Sequence, residues 1–138
     1  MQKRTGCAAV GVTLWYAPAA VPFSLPHTSW EHPQLFAVCA GRLSAIAVHE
    51  HRRDPDAFSR TIAQVGMLND LVDATLPMAE AHGLDRTEVN TWRFEARTEI
   101  SVTLEQAYHS FDTRIAELAQ RDLVTKVRFC RDLLPSTN

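Results

Sequence analysis

From Pro33 to Leu134 apolar side chains return every three or four positions, a period that only helices can bury on one side. A chain with this pattern has to fold as packed helices. The first helix is expected over 33–51, where Leu35, Cys39, Leu43 and Ile46 form a stripe with Phe36 beside it. Asp54-Pro55 opens the second, expected over 55–82, because aspartate suits the N-cap and proline suits the first helical position. Its stripe is Phe58, Ile62, Val65, Val72, Leu76 and Ala79. Pro77 should kink its last turn or split it off, and Gly83 suits the residue just past the end.

The third helix has the strongest start signal. Asp85 and Glu88 have capping-box spacing, and Leu84 and Val89 occupy the positions of a hydrophobic staple. Val89, Ala96, Ile100, Thr103, Ala107, Phe111, Arg114 and Leu118 then continue in phase, which predicts one helix over about 86–120. A last stripe of Leu123, Val127, Cys130 and Leu134 either extends that helix or folds back as a fourth. Short turns between long helices make them antiparallel neighbours. The fold class expected is therefore all-α, an antiparallel three- to four-helix bundle over 33–138. A third helix this long leaves a seam that its neighbours do not cover, which argues for a homodimer.

Residues 1–32 differ in character. Pro18, Pro22, Pro26 and Pro33 interrupt any helical period and imply an arm across the bundle. Within 1–20 two readings stand. Val10, Val12 and Leu14 alternate as in a β-strand, while a basic start, an apolar stretch and Ala17-Pro18-Ala19 outline a short signal peptide. The first implies a cytoplasmic protein and the second a secreted one.

Composition serves mainly to exclude. With 138 residues, the chain has the size of one domain, and a net charge of −2 argues against nucleic acid held by a basic face. No apolar run is long enough to span a membrane. Arginine outnumbers lysine twelve to two, a bias typical of GC-rich bacterial genomes. The cysteines Cys7, Cys39 and Cys130 are odd in number and lack CxxC spacing, so neither a disulfide framework nor structural zinc is expected. Cys39 reads as a small core hydrophobe. No phosphate-binding loop, nucleophile elbow or metal-ligand motif occurs, and no cofactor or metal is expected. Glu105-x-x-x-His109 misses the di-iron spacing by one residue, and the consecutive side chains of His49-Glu50-His51 diverge by about 100° on a helix.

The informative residues are polar groups on apolar stripes. Glu50 follows Ile46 by four, Asn69 follows Val65 by four with Asp73 at the border, and Arg114 follows Phe111 by three. At about 1.5 Å per residue, antiparallel helices put Arg114 level with Glu50, and Asn69 level with Glu99 to Thr103. Two readings remain open: a structural ion pair of Glu50 with Arg114, or a pocket lined by Glu50, Asn69, Asp73, Glu99 and Arg114. The expected function is a non-catalytic homodimer that binds a partner, peptide or small ligand. The alternative is a small biosynthetic tailoring enzyme that moves protons with Glu50, His49 or His109.

Overall fold

The computed structural model describes residues 30–135, which form four helices: α1 Glu31–Glu50, α2 Pro55–Ala81, α3 Arg86–His109 and α4 Thr113–Asp132. The readings of residues 1–29, strand, arm or signal peptide, lie outside the described residues. Helix α1 begins two residues before the expected Pro33, with Trp30 at its N-cap. Asp54 caps α2 by accepting a hydrogen bond from the Ala57 amide, with Pro55 following it as expected. Helix α2 continues through Pro77 to Ala81, and Gly83 then takes a φ of +95°, a conformation that suits glycine after a helix end. Asp85 caps α3 through the Thr87 amide, and the staple residues Leu84 and Val89 are both buried.

One boundary differs from the sequence reading. The expected helix over 86–120 ends at His109, and α4 starts at Thr113 after the turn Ser110-Phe111-Asp112. The cause is local. Asp112 takes an extended backbone, and its carboxylate accepts from the Arg114 and Ile115 amides, which begins a new helix. Phe111 and Leu118, expected on the buried stripe, are therefore exposed. The stripe of Leu123, Val127, Cys130 and Leu134 belongs to the helix that folds back, and all four side chains are buried.

Helix α1 is central and packs against each of the other three. Its small residues make this possible: Ala37, Ala40, Gly41, Ala45 and Ala47 are buried and let neighbours approach closely. At Gly41 the approach is closest, because a Cβ there would collide with the Arg93 carbonyl oxygen of α3. Leu43, Ile46, Leu68, Ile100, Leu104, Leu123 and Val127 form the main core, and Val72, Leu76, Leu84 and Val89 form a second. Ile62, expected on the α2 stripe, is exposed; Leu68 fills that role instead.

The cysteine reading is also corrected. Cys39 of α1 and Cys130 of α4 form a disulfide across 91 residues of sequence, and both are fully buried. Spacing along the chain gives no sign of this pair, because the fold-back of α4 creates the proximity.

Candidate functional site

Helical geometry gives α1 two working faces. Cys39, Leu43, Ile46 and Glu50 recur at four, three and four residues and point toward α4, whereas Gly41 and Ser44 lie on the far side. On the α4 side, Ile46, Leu104, Leu123 and Val127 wall a cavity of about 540 Å³ whose polar end carries Glu50, Arg128 and Arg131. The size suits a small organic ligand, and so does an apolar wall with a few convergent polar groups.

Glu50, the last residue of α1, is held in an unbalanced way. Its Oε1 lies 3.7 Å from Nη2 of Arg131, while its Oε2 is shielded from water and has no hydrogen-bond partner among the described residues. Arg131 divides its donors further, giving Nε to Gln64 Oε1 and Nη2 to Thr61 Oγ1, each at 3.3 Å. A buried carboxylate oxygen without a donor is costly, and a donor group on a ligand would relieve it. The partner of Glu50 is thus Arg131 and not Arg114. Arg114 sits exposed in the first turn of α4, because the break at 110–112 turns that residue away from where an unbroken helix would carry it.

His49 borders the same cavity. Its ring centroid is 4.7 Å from that of Tyr108, and Nη1 of Arg53 lies 3.3 Å from its Nε2 while the guanidinium sits 5.4 Å above the Tyr108 ring. Arginine only donates, so Nε2 is the accepting nitrogen and the proton of the neutral ring is on Nδ1. Burial, then the Arg53 charge, and to a smaller extent His109, hold the His49 pKa below the ordinary histidine value, with Glu50 opposing. His49 is therefore neutral at pH 7.

The remaining candidates go elsewhere. His109 lines a smaller neighbouring cavity of about 170 Å³ with His49 and Glu105. Asn69 and Asp73 line a separate groove with Arg93 and Arg97, on the N-terminal side of the expected level of Glu99 to Thr103. Glu99 ties three helices together: Oε2 accepts from Arg42 Nη2 at 3.2 Å and Oε1 from Lys126 at 2.6 Å. The Lys126 hydrogen bond leads in holding the Glu99 carboxyl below its usual range, with the Arg42 charge adding to it. Among the described residues no group of three His, Cys, Asp or Glu side chains could hold a metal ion, and no helix is long and apolar enough to cross a membrane. Sequence reasoning missed Arg131, Arg128 and Tyr108. The signal that could have found the two arginines is Asp112, an N-cap residue placed just before the stripe that folds back.

Compared with known proteins, the chain matches no family model, no curated protein and no solved structure. Any functional reading therefore comes from the site itself.

Proposed function

We propose that this chain is a non-catalytic helical-bundle protein that binds a small molecule with an apolar body and one hydrogen-bond donor. The observation that carries this reading is the unsatisfied Oε2 of Glu50, a residue that lines a cavity with one apolar wall and one polar end. N-phenyl-1-naphthylamine has this chemistry, two aromatic units and one N–H, and its fluorescence rises when it leaves water. A titration should saturate at one site per chain. Val124→Trp, which fills the cavity from an exposed wall position, should abolish the saturable rise without unfolding the protein. A rise that never saturates, or one that Val124→Trp leaves intact, would refute the proposal.

A second reading has its own support. A neutral His49 and a carboxylate at Glu50 border one cavity, so a ligand there would meet a proton acceptor on two sides, as in a proton-transfer enzyme. Hydrogen–deuterium exchange into a bound carbon acid, lost in both His49→Gln and Glu50→Gln, would favour this reading over simple binding.

We also propose self-association, on a basis different from the long seam. With the third helix broken, the support comes from Phe111 in the turn before α4 and from Ile115 and Leu118, three residues apart on α4, all of them exposed. Light scattering should give twice the 15.5 kDa chain mass, and Leu118→Glu should return it to the chain mass. A wild-type mass of one chain across the micromolar range would dismiss the dimer.

A further inference from the structure

On the face of α1 turned away from α4 lies a second cavity, about 510 Å³, that shares no lining residue with the Glu50 site. Its floor is Gly41 and Ser44 of α1. Asn69 and Asp73, four residues apart and hence on one side of α2, make one wall. Asn90, Arg93, Phe94 and Arg97 of α3 make the other. The two walls therefore carry opposite charge.

Among the described residues these charges are not paired with one another. No ion pair among the described residues joins Asp73 to Arg93 or Arg97, and no hydrogen bond among those residues engages the Arg97 guanidinium or the Asp73 carboxylate. Arg86, a further cation whose pKa Asp73 helps to raise, is bound to Glu80 at 2.9 Å. Arg93 is the most telling residue. The close approach at Gly41 brings its backbone against α1, and its Nε is shielded from water with no acceptor, while Nη1 reaches only Asn90 Oδ1 at 3.5 Å. With one N–H withdrawn from water and only a long contact to Asn90, the Arg93 charge is poorly compensated, and a carboxylate meeting its outer Nη groups would supply the missing counter-charge.

We infer that this groove binds a small zwitterion of the α-amino acid class. The ligand carboxylate lies on Arg93 and Arg97, its ammonium group lies on Asp73 with the side-chain oxygen of Asn69, and an apolar side chain rests on Phe94, which is 71% exposed. A simple anion would leave Asp73 opposed to it across the groove, and a simple cation would face two guanidinium groups. Only a ligand carrying both charges satisfies both walls.

Three probes of one shape separate these cases: L-phenylalanine, 3-phenylpropanoate without the ammonium, and phenethylamine without the carboxylate. Each is titrated into the full-length protein and followed by the arginine Nε–H signals in ¹H–¹⁵N spectra. L-Phenylalanine should saturate at about millimolar concentration or below, shift the Arg93 signal, and bind about tenfold tighter than either analogue. Arg97→Gln, at an exposed position, should weaken L-phenylalanine and 3-phenylpropanoate and leave phenethylamine unweakened or bound more tightly, since one of the two guanidinium groups facing it is gone. Asp73→Asn should weaken L-phenylalanine and phenethylamine and leave 3-phenylpropanoate unweakened or bound more tightly, since the opposing carboxylate is gone. Failure of L-phenylalanine to saturate, equal affinity for the three probes, or indifference to both substitutions would overturn the inference. Because the two cavities share no residue, loss of N-phenyl-1-naphthylamine binding has no bearing on this result.

Discussion

At position 41 the absence of a Cβ decides how closely α1 and α3 approach, since any larger side chain meets the Arg93 backbone rather than a side chain that can swing aside. Gly41→Ala should therefore destabilise the fold by about 2–3 kcal/mol through overpacking. Gly66→Ala is the control, because nothing lies near its Cβ, and it should stabilise by about 0.5–1 kcal/mol through helix propensity. Urea denaturation of both variants checks the pair; a Gly41→Ala protein as stable as Gly66→Ala would contradict the close approach. Glu50 behaves in the opposite sense. Its carboxylate has one shielded, unpaired oxygen, and Arg131 keeps Gln64 and Thr61 if Glu50 is removed. Glu50→Leu should leave stability unchanged or raise it by up to about 1 kcal/mol, yet weaken N-phenyl-1-naphthylamine about tenfold. A loss above about 2 kcal/mol would make Glu50 a structural residue instead. His49 adds a pH dependence. Its folded pKa lies below its ordinary value, so the unfolded chain takes up the proton first and acid disfavours the fold. Stability should fall as pH drops through the histidine range near 6.5, and His49→Gln should flatten that part of the profile. An unchanged profile would show that this histidine is not coupled to folding.

At the scale of the helix, the starts that follow a proline or a staple were legible in the sequence, and the start at Thr113 was not. Asp54-Pro55 and Leu84-Asp85 stand where the apolar stripe pauses, so cap and periodicity agree. Asp112 stands within a stripe that stays in phase through Ala107, Phe111 and Leu118. Periodicity registers which residues share a face; it does not distinguish one helix from two that follow each other through a three-residue turn. That one turn explains the other misses. It turns Arg114 away from Glu50, brings Arg131 to it, and places Cys130 against Cys39. Glu50 itself was legible as a polar residue on an apolar stripe, since that depends only on spacing within α1. Joining α1 to α4 across 91 residues, the disulfide restricts the unfolded chain, and Cys39→Ser with Cys130→Ser should cost about 2–5 kcal/mol. Non-reducing peptide mapping with parallel thermal melts checks this; free thiols at both positions, or an unchanged melting temperature, would contradict it.

Across the whole molecule, a small-residue helix at the centre leaves a cavity on each of two faces, one beside α4 with an apolar wall, the other between α2 and α3 with charged walls. The all-helical class was legible because nearly every apolar residue from 33 onward obeys one period. The division into two cavities was not, because helical wheels assign residues to faces of single helices and say nothing of which helix covers which face. The sequence reading gathered Glu50, Asn69, Asp73, Glu99 and Arg114 into one pocket. The structure distributes them among a ligand-sized cavity, a polar groove, a three-helix ion network and an exposed helix start. The central claim is that the open cavity lined by α1, α3 and α4 is where a small apolar ligand binds. Methyl ¹³C spectra of the oxidised protein during titration with N-phenyl-1-naphthylamine test this directly. The account predicts saturable shifts at Ile46, Leu104, Leu123 and Val127 with one common dissociation constant, while the methyls of Val72, Leu76 and Leu84 in the second core stay in place. Shifts centred on Val72, Leu76 and Leu84, or none at Leu104 and Val127 at saturation, would contradict it.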